Sequence, residues 1–146
     1  MGDKAEYNAL IPFTTPNSRD MSSLRIPYSI VDVFTTQRFY GNPLAVVRNA
    51  TSMSDKEMLT VAHEFGLSET TFILPPENPS NTARVRIFTP HMEIPFAGHP
   101  NVGTAYVIAN DKTAANAVSG DSMVFEESGG NVSVSLMHGE GKVYGL

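Results

Sequence analysis

One stretch of the chain concentrates residues that could do chemistry. It runs Phe88-Thr89-Pro90-His91-Met92-Glu93-Ile94-Pro95-Phe96-Ala97-Gly98-His99-Pro100-Asn101 and leads into a small, apolar run, Asn101 to Ala109, that reads as a helix. The N-terminus of a helix offers unpaired N–H groups and the positive end of its dipole, so a carboxylate is the natural guest there. Gly98, just before that helix, lets the backbone approach a ligand closely, and His99 beside it can donate or shuttle a proton. The plainer reading of His99 is a loop histidine that caps the helix or bonds a backbone carbonyl. The second candidate is Glu69, in Leu67-Ser68-Glu69-Thr70. A carboxylate held half-buried among apolar residues is pushed toward the range of a general acid or base; an exposed strand-end glutamate is the plainer alternative. Glu93 reads as structural, bonding its loop or the nearby amides, and His63 as lying on or beside the polar face of a helix. His63 and His91 stand at no metal-ligand spacing, and phosphate-binding glycine loops, nucleophile-elbow serines and dinucleotide fingerprints are missing from the sequence.

The elements that must position these groups are legible from pattern. Pro27 to Phe34 is β-branched and aromatic and predicts a strand buried on both faces near its end. Gly41-Asn42-Pro43 signals a turn, with Leu44 to Val47 as the next strand and Pro43 at its start. Ser54-Asp55-Lys56-Glu57 is a capping box, Ser54 as N-cap and Glu57 at N3, opening a helix that stops at Gly66 and aligns Met58, Ala62 and Phe65 on one face. Leu67 to Leu74 leaves that helix and enters a strand. From Ala83 to Thr89 the residues alternate, Val85 and Ile87 to one side, Arg84, Arg86 and Phe88 to the other. The helix after His99 is apolar all round, which predicts that strands surround it, and Asn101 is suited to be its N-cap. Met123 to Glu127 and Val132 to Met137 predict a hairpin across Ser128-Gly129-Gly130-Asn131, and Lys142 begins one more strand. The fold class that follows is α+β.

Composition narrows the function classes. Hydrophobic residues at 41% of 146 predict a packed core. Lys+Arg 10 against Asp+Glu 15 leaves a net charge of −5 and no basic footprint for nucleic acid. Cys 0 excludes disulfides, thiolate metal sites and a cysteine nucleophile or base. No stretch approaches the roughly 20 apolar residues of a membrane helix, and no signal-peptide apolar region follows Met1, so neither nucleic acid nor membrane is expected as a partner and a cytoplasmic location is. Residues 1–25, rich in proline, serine and threonine without periodicity, read as a flexible N-terminal arm, and residues 26–146 as the folded domain.

Taken together, Val31-Asp32-Val33-Phe34 with Gly41-Asn42-Pro43-Leu44-Ala45-Val46-Val47, Glu64-Phe65-Gly66-Leu67-Ser68-Glu69-Thr70, Arg86-Ile87-Phe88-Thr89-Pro90 and Glu93-Ile94-Pro95-Phe96-Ala97-Gly98-His99-Pro100 resemble the N-terminal half of the PhzF family of phenazine-biosynthesis-like isomerases. The resemblance implies a diaminopimelate epimerase-like fold, in which a mixed β-sheet wraps around a central helix and two such halves enclose the active site. It places the family's acid/base glutamate on Glu69 and its histidine on His99, with Gly98, Pro100, Asn101 and Asn42 on the substrate side. It further implies isomerase or epimerase-type proton transfer on a small carboxylate, needing no metal or organic cofactor. Ala97 stands where epimerase relatives have a cysteine, which leaves proton transfer to a carboxylate. Asn101 replaces the threonine common after Gly-His-Pro. Members of the family are longer, so the expectation is a first half whose cleft a second copy closes as a homodimer. The alternative is a non-catalytic half serving as a small-molecule binding or dimerisation module.

Overall fold

The computed structural model of the chain describes residues 25–111, 120–139 and 142–145. Apart from Arg25, the expected arm over residues 1–25 lies outside the described residues. The elements are β1 (Tyr28–Val33), β2 (Asn42–Val47), α1 (Asp55–Phe65), β3 (Thr70–Leu74), β4 (Ala83–Phe88), β5 (Glu93–Ile94), α2 (Gly98–Asn110), β6 (Ser122–Glu127), β7 (Gly130–Gly139) and β8 (Lys142–Gly145). None of the described helices is long and apolar enough to cross a membrane.

The strands lie in the order β1-β2-β3-β4-β6-β7-β8, with β5 beside β4. The pairs β2–β3 and β4–β6 are parallel and the others antiparallel. Each parallel pair needs a crossover, and each crossover contains a helix: α1 between β2 and β3, α2 between β4 and β6. The two crossovers step the same way along the sheet but leave from strands of opposite direction. With one handedness for both, the helices fall on opposite faces.

Helix α1 packs on the outer face. Met58 and Ala62 are buried there in a cluster with Val47, Phe72 and Phe88. Its start is the expected capping box: the Ser54 Oγ accepts the Glu57 N–H (3.3 Å) and the Glu57 carboxylate accepts the Ser54 N–H (2.7 Å). It stops at Gly66, which takes the left-handed conformation that glycine adopts without steric cost (φ 62°). Helix α2 lies on the inner face, touched by both ends of the sheet, β1 and β8. Its low polarity follows: Ala105 packs against Val85, Ile87, Met123 and Phe125 on one side, and Val107 packs with Val33, Leu44 and Val46 on another. Two polar contacts fix its position along the sheet. The Thr104 and Thr71 hydroxyls are 2.9 Å apart in the core, and Arg48 at the end of β2 pairs with Asp111 at 2.6 Å.

Three expectations are corrected. Helix α2 begins at Gly98, not Asn101, so His99 and Pro100 belong to its first turn. Proline is tolerated there because its missing N–H would have had no partner within the helix. Near its end strand β1 is buried less fully than expected: Val33 is buried, Val31 and Asp32 are half-buried, and Tyr28 and Ile30 before them are exposed, because β1 ends the spatial order of the sheet. The turn between β6 and β7 is tighter than expected, since pairing continues to Glu127↔Gly130 and leaves Ser128 and Gly129 as the turn.

Candidate active site

Glu69 follows the C-cap of α1 and precedes β3 by one residue. Thr71 and Ile73 turn inward to α2, while Phe72 and Leu74 turn outward to α1. The two-residue period of the strand therefore puts Glu69 on the inner face as well. Its Oε2 lies 3.5 Å from the Nε2 of His99, with the side chains 20% and 10% exposed. Both atoms are shielded from solvent and neither makes a hydrogen bond of ordinary geometry. Two groups able to exchange protons thus face each other, and neither is committed to a structural bond.

The first turn of α2 surrounds that contact. Its N-cap is Ala97, in extended conformation (φ −155°, ψ 138°), whose side chain offers the helix no cap. The N–H groups of Gly98 and His99 stand among the donors that an α-helix cannot satisfy internally, at the positive end of its dipole. Gly98 is exposed, and a Cβ built on it would meet nothing within 4 Å, so the space over the turn is open. The other expected substrate residues differ in setting. Pro100 is fully buried, so its ring packs the turn from inside. Asn101 is not the N-cap; it lies one turn into α2, is 3% exposed and faces Glu127 of β6. Asn42 is exposed at the start of β2, and the parallel register Ala45↔Thr70 sets it at the sheet end where Glu69 stands, roughly 7 Å along the strand direction.

A clamp on the outer face holds the loop that leads into this turn. Arg86 of β4 donates from Nε and Nη2 to the two oxygens of Glu93 on β5 (2.8 and 2.6 Å), and from Nη1 to Asp55 at the start of α1. The Glu93 carboxylate holds the Arg86 pKa above its ordinary value, and the Arg86 guanidinium holds Asp55 below the usual carboxylate range. Glu93 is thus structural, as expected, but its partner is a guanidinium instead of the loop amides. Arg86→Met should lower stability in denaturant unfolding by roughly 2 kcal/mol, between the values for exposed and buried pairs; an unchanged midpoint would show that the clamp contributes nothing. His63 lies apart from the site, its Nδ1 3.3 Å from the Pro90 carbonyl and its ring 6.4 Å from that of His91. Among the described residues no cluster of His, Asp and Glu could hold a metal ion.

Sequence reasoning passed over Glu126 and Glu127. Glu126 points outward and accepts N–H donors from Glu77, Asn78 and Asn81, which hold its carboxyl below the ordinary range. Glu127 points inward with Met123 and Phe125, and burial pushes its carboxyl up to about 7. The alternation along β6 was the available signal for both.

Residues 31–144 match the family model described as phenazine biosynthesis-like protein, PhzC-PhzF. An uncharacterised isomerase of Mesorhizobium japonicum is 44% identical over 117 residues, covering 80% of this chain and 38% of that protein. The trans-2,3-dihydro-3-hydroxyanthranilate isomerase of Pseudomonas aeruginosa is 38% identical over 116 residues, covering 80% and 39%. The chain thus spans about two fifths of the length of these relatives. Among solved structures, a PhzF-family phenazine biosynthesis protein of Bacillus anthracis superposes with a TM-score of 0.70 at 28% identity, covering 82% of this chain and 39% of that one. A hydroxyproline epimerase of Agrobacterium vitis shares the fold at 11% identity, with a TM-score of 0.62 over 80% of this chain and 39% of that one. The α+β architecture is accordingly diaminopimelate epimerase-like, and the chain belongs to the phenazine biosynthesis-like, PhzC-PhzF, family.

Proposed function

We propose that this chain carries the acid/base half of an isomerase that moves a proton on a small carboxylate-bearing substrate without a metal or organic cofactor. The observation that supports it is the contact of Glu69 Oε2 with His99 Nε2, dry and uncommitted, beside a helix N-terminus that has no side-chain cap. In this reading the substrate carboxylate sits on the Gly98 and His99 amides. Glu69 takes the proton from a carbon acidified by its neighbours and returns it to another carbon of the same molecule. His99 holds the Glu69 carboxyl in place and shares its proton, so that the group is regenerated with no net change of atoms. Positioned acid–base groups of this kind contribute typically ~10²–10⁴ in rate, and donors aimed at developing charge add to that in a water-poor site.

The relatives named as trans-2,3-dihydro-3-hydroxyanthranilate isomerases make that compound the first substrate to try. The test is deuterium uptake from heavy water, followed by NMR. Incorporation at one ring carbon above the spontaneous rate is expected. Binding of the compound without any uptake would instead favour the non-catalytic binding module.

The homodimer belongs to the same proposal. Phe34, Phe39 and Tyr40 are exposed in the β1–β2 connection, at the sheet end where Glu69 stands. Exposed aromatic residues grouped in one connection fit a contact site, and a second copy seated there would cover the part of the Glu69 side chain that is still exposed. Sedimentation should show a dimer at micromolar concentration; a stable monomer that still exchanges deuterium would remove the second copy from the mechanism.

A further inference from the structure

The first turn of α2 is held on its far side as well. His99 and Asn101 are two residues apart in a helix and point in nearly opposite directions. His99 meets β3 through Glu69, while Asn101 turns toward β6, as does Ala105 one turn later. On β6 the inward positions are Met123, Phe125 and Glu127, so the strand delivers a carboxyl group to the Asn101 amide. All four polar atoms, both oxygens of Glu127 and both polar atoms of Asn101, are shielded from solvent and make no hydrogen bond of ordinary geometry. The next residues grip the chain on the other side of the turn: the Gly129 N–H donates to the Pro95 carbonyl at 3.2 Å, and a Cβ at Gly129 would sit 2.9 Å from that oxygen. The segment from Glu127 to Gly129 therefore brackets the Gly98-His99 turn, before it at Pro95 and after it at Asn101.

Burial favours the neutral acid and outweighs the donor of the Asn101 amide, which by itself favours the ionised form. An ionised carboxylate has no donor and leaves the Asn101 oxygen buried without a partner, a costly arrangement. A neutral acid satisfies all four: its O–H donates to Asn101 Oδ1, and Asn101 Nδ2–H donates to its carbonyl oxygen. We propose that Glu127 is a positioning residue that, as a neutral acid paired with Asn101, fixes the turn of α2 on which the substrate carboxylate is to be received. Losing the proton removes one of the two bonds, leaves Asn101 Oδ1 buried without a donor and places a negative charge beneath that turn, so the device couples the anion site to pH. The surroundings do not supply a competing charge. The charged groups lining the groove of about 370 Å³ outside Glu127 are Glu77, Arg84, Arg86, Glu93 and Glu126. Arg84 pairs with Glu77 and Arg86 with Glu93 and Asp55, and among the described residues no cation stands within ion-pair distance of Glu127. On α2 the nearest titratable group is His99, on the opposite side of the helix.

This inference rests on the proposed anion site for its purpose, but its test needs no substrate. In the full chain, carbon NMR of the glutamate carboxyls should show Glu127 titrating near pH 7, against 4.5 for an ordinary glutamate. The side-chain amide of Asn101 and the backbone amides of Gly98 and Val102 should shift with the same midpoint. In Glu127→Gln, whose amide can make the same two bonds at every pH, that step should vanish, and the Gly98 and Val102 signals should stay at their low-pH wild-type positions. In Glu127→Ala they should be displaced at all pH values. A Glu127 midpoint near 4.5, or amides of the turn that keep the same step in Glu127→Gln, would overturn the proposal. Absence of deuterium uptake in the substrate assay would leave this titration intact, and an ordinary Glu127 midpoint would leave the role of Glu69 intact.

Discussion

Glu69→Gln should reduce deuterium uptake into a turned-over substrate by ~10²–10⁴, the usual contribution of a positioned acid or base, while the dissociation constant for that substrate changes only a few-fold. The reason lies in what the substitution preserves. Glutamine keeps the length and planar head of the side chain, and its carbonyl oxygen can still stand 3.5 Å from His99 Nε2. It cannot carry a proton to and from carbon. The anion-receiving amides belong to the backbone of Gly98 and His99, on a different element, so binding has no reason to follow the rate down. Circular dichroism and thermal unfolding should be close to wild type, because the atom altered makes no structural hydrogen bond. Exchange that stays within about tenfold of wild type would remove Glu69 from the acid/base role and leave His99 as the group to test.

The largest expected effect on folding comes from a residue with no chemistry. A Cβ at Gly103 would lie 2.6 Å from Leu44 Cδ2 and 2.9 Å from Val33 Cγ2, both inside the core. Gly103→Val would drive two further methyl groups into the seam where α2 rests on β1 and β2. The neighbours cannot give way easily: Leu44 is fully buried and Val33 nearly so. Overpacking of a dense core costs ~1–3 kcal/mol and more when backbone must move; a β-branched residue crowding a helix seam belongs at the upper end, about 3 kcal/mol. Gly103→Ala should cost less, because it adds a single methyl and gains helix propensity. Denaturant midpoints of the two variants would show the order. A Gly103→Val protein as stable as wild type would mean that α2 does not seat on β1 and β2 as described. Because Gly98 and His99 lie one turn upstream, the valine variant should also lose substrate binding, whereas Glu69→Gln should not.

Much of the architecture was legible because it depends on interactions near in sequence. The capping box at Ser54 and Glu57, the stop at Gly66 and the two faces of β4 are set by residues within a few positions of one another. The uniform apolarity of Asn101 to Ala109 announced that strands would enclose that helix, and they do. The errors have a common origin. Sequence pattern starts α2 at Asn101, three residues late, because Gly98, His99 and Pro100 have poor helix propensity. The packing of the Pro100 ring and the Pro95–Gly129 bond, which come from distant parts of the chain, support the earlier start. The apolar residues of strand β1 predict burial on both faces near its end, yet apolar residues on an edge strand remain partly exposed unless another layer covers them.

The site divides in the same way. By itself the sequence determined that a carboxylate stands where a helix gives way to a strand, that a histidine follows a glycine at the mouth of a second helix, and that no thiol is available. Those are statements about residue type and local spacing, and local sterics and hydrogen bonding suffice for them. Only the tertiary structure decided that Glu69 and His99 meet, thirty positions apart, and that Glu127 reaches the opposite side of the same turn. Meetings of that kind depend on which strands pair and on how far the sheet curls around α2. Those quantities are fixed by summed packing over the whole core, and no short window of residues contains that sum.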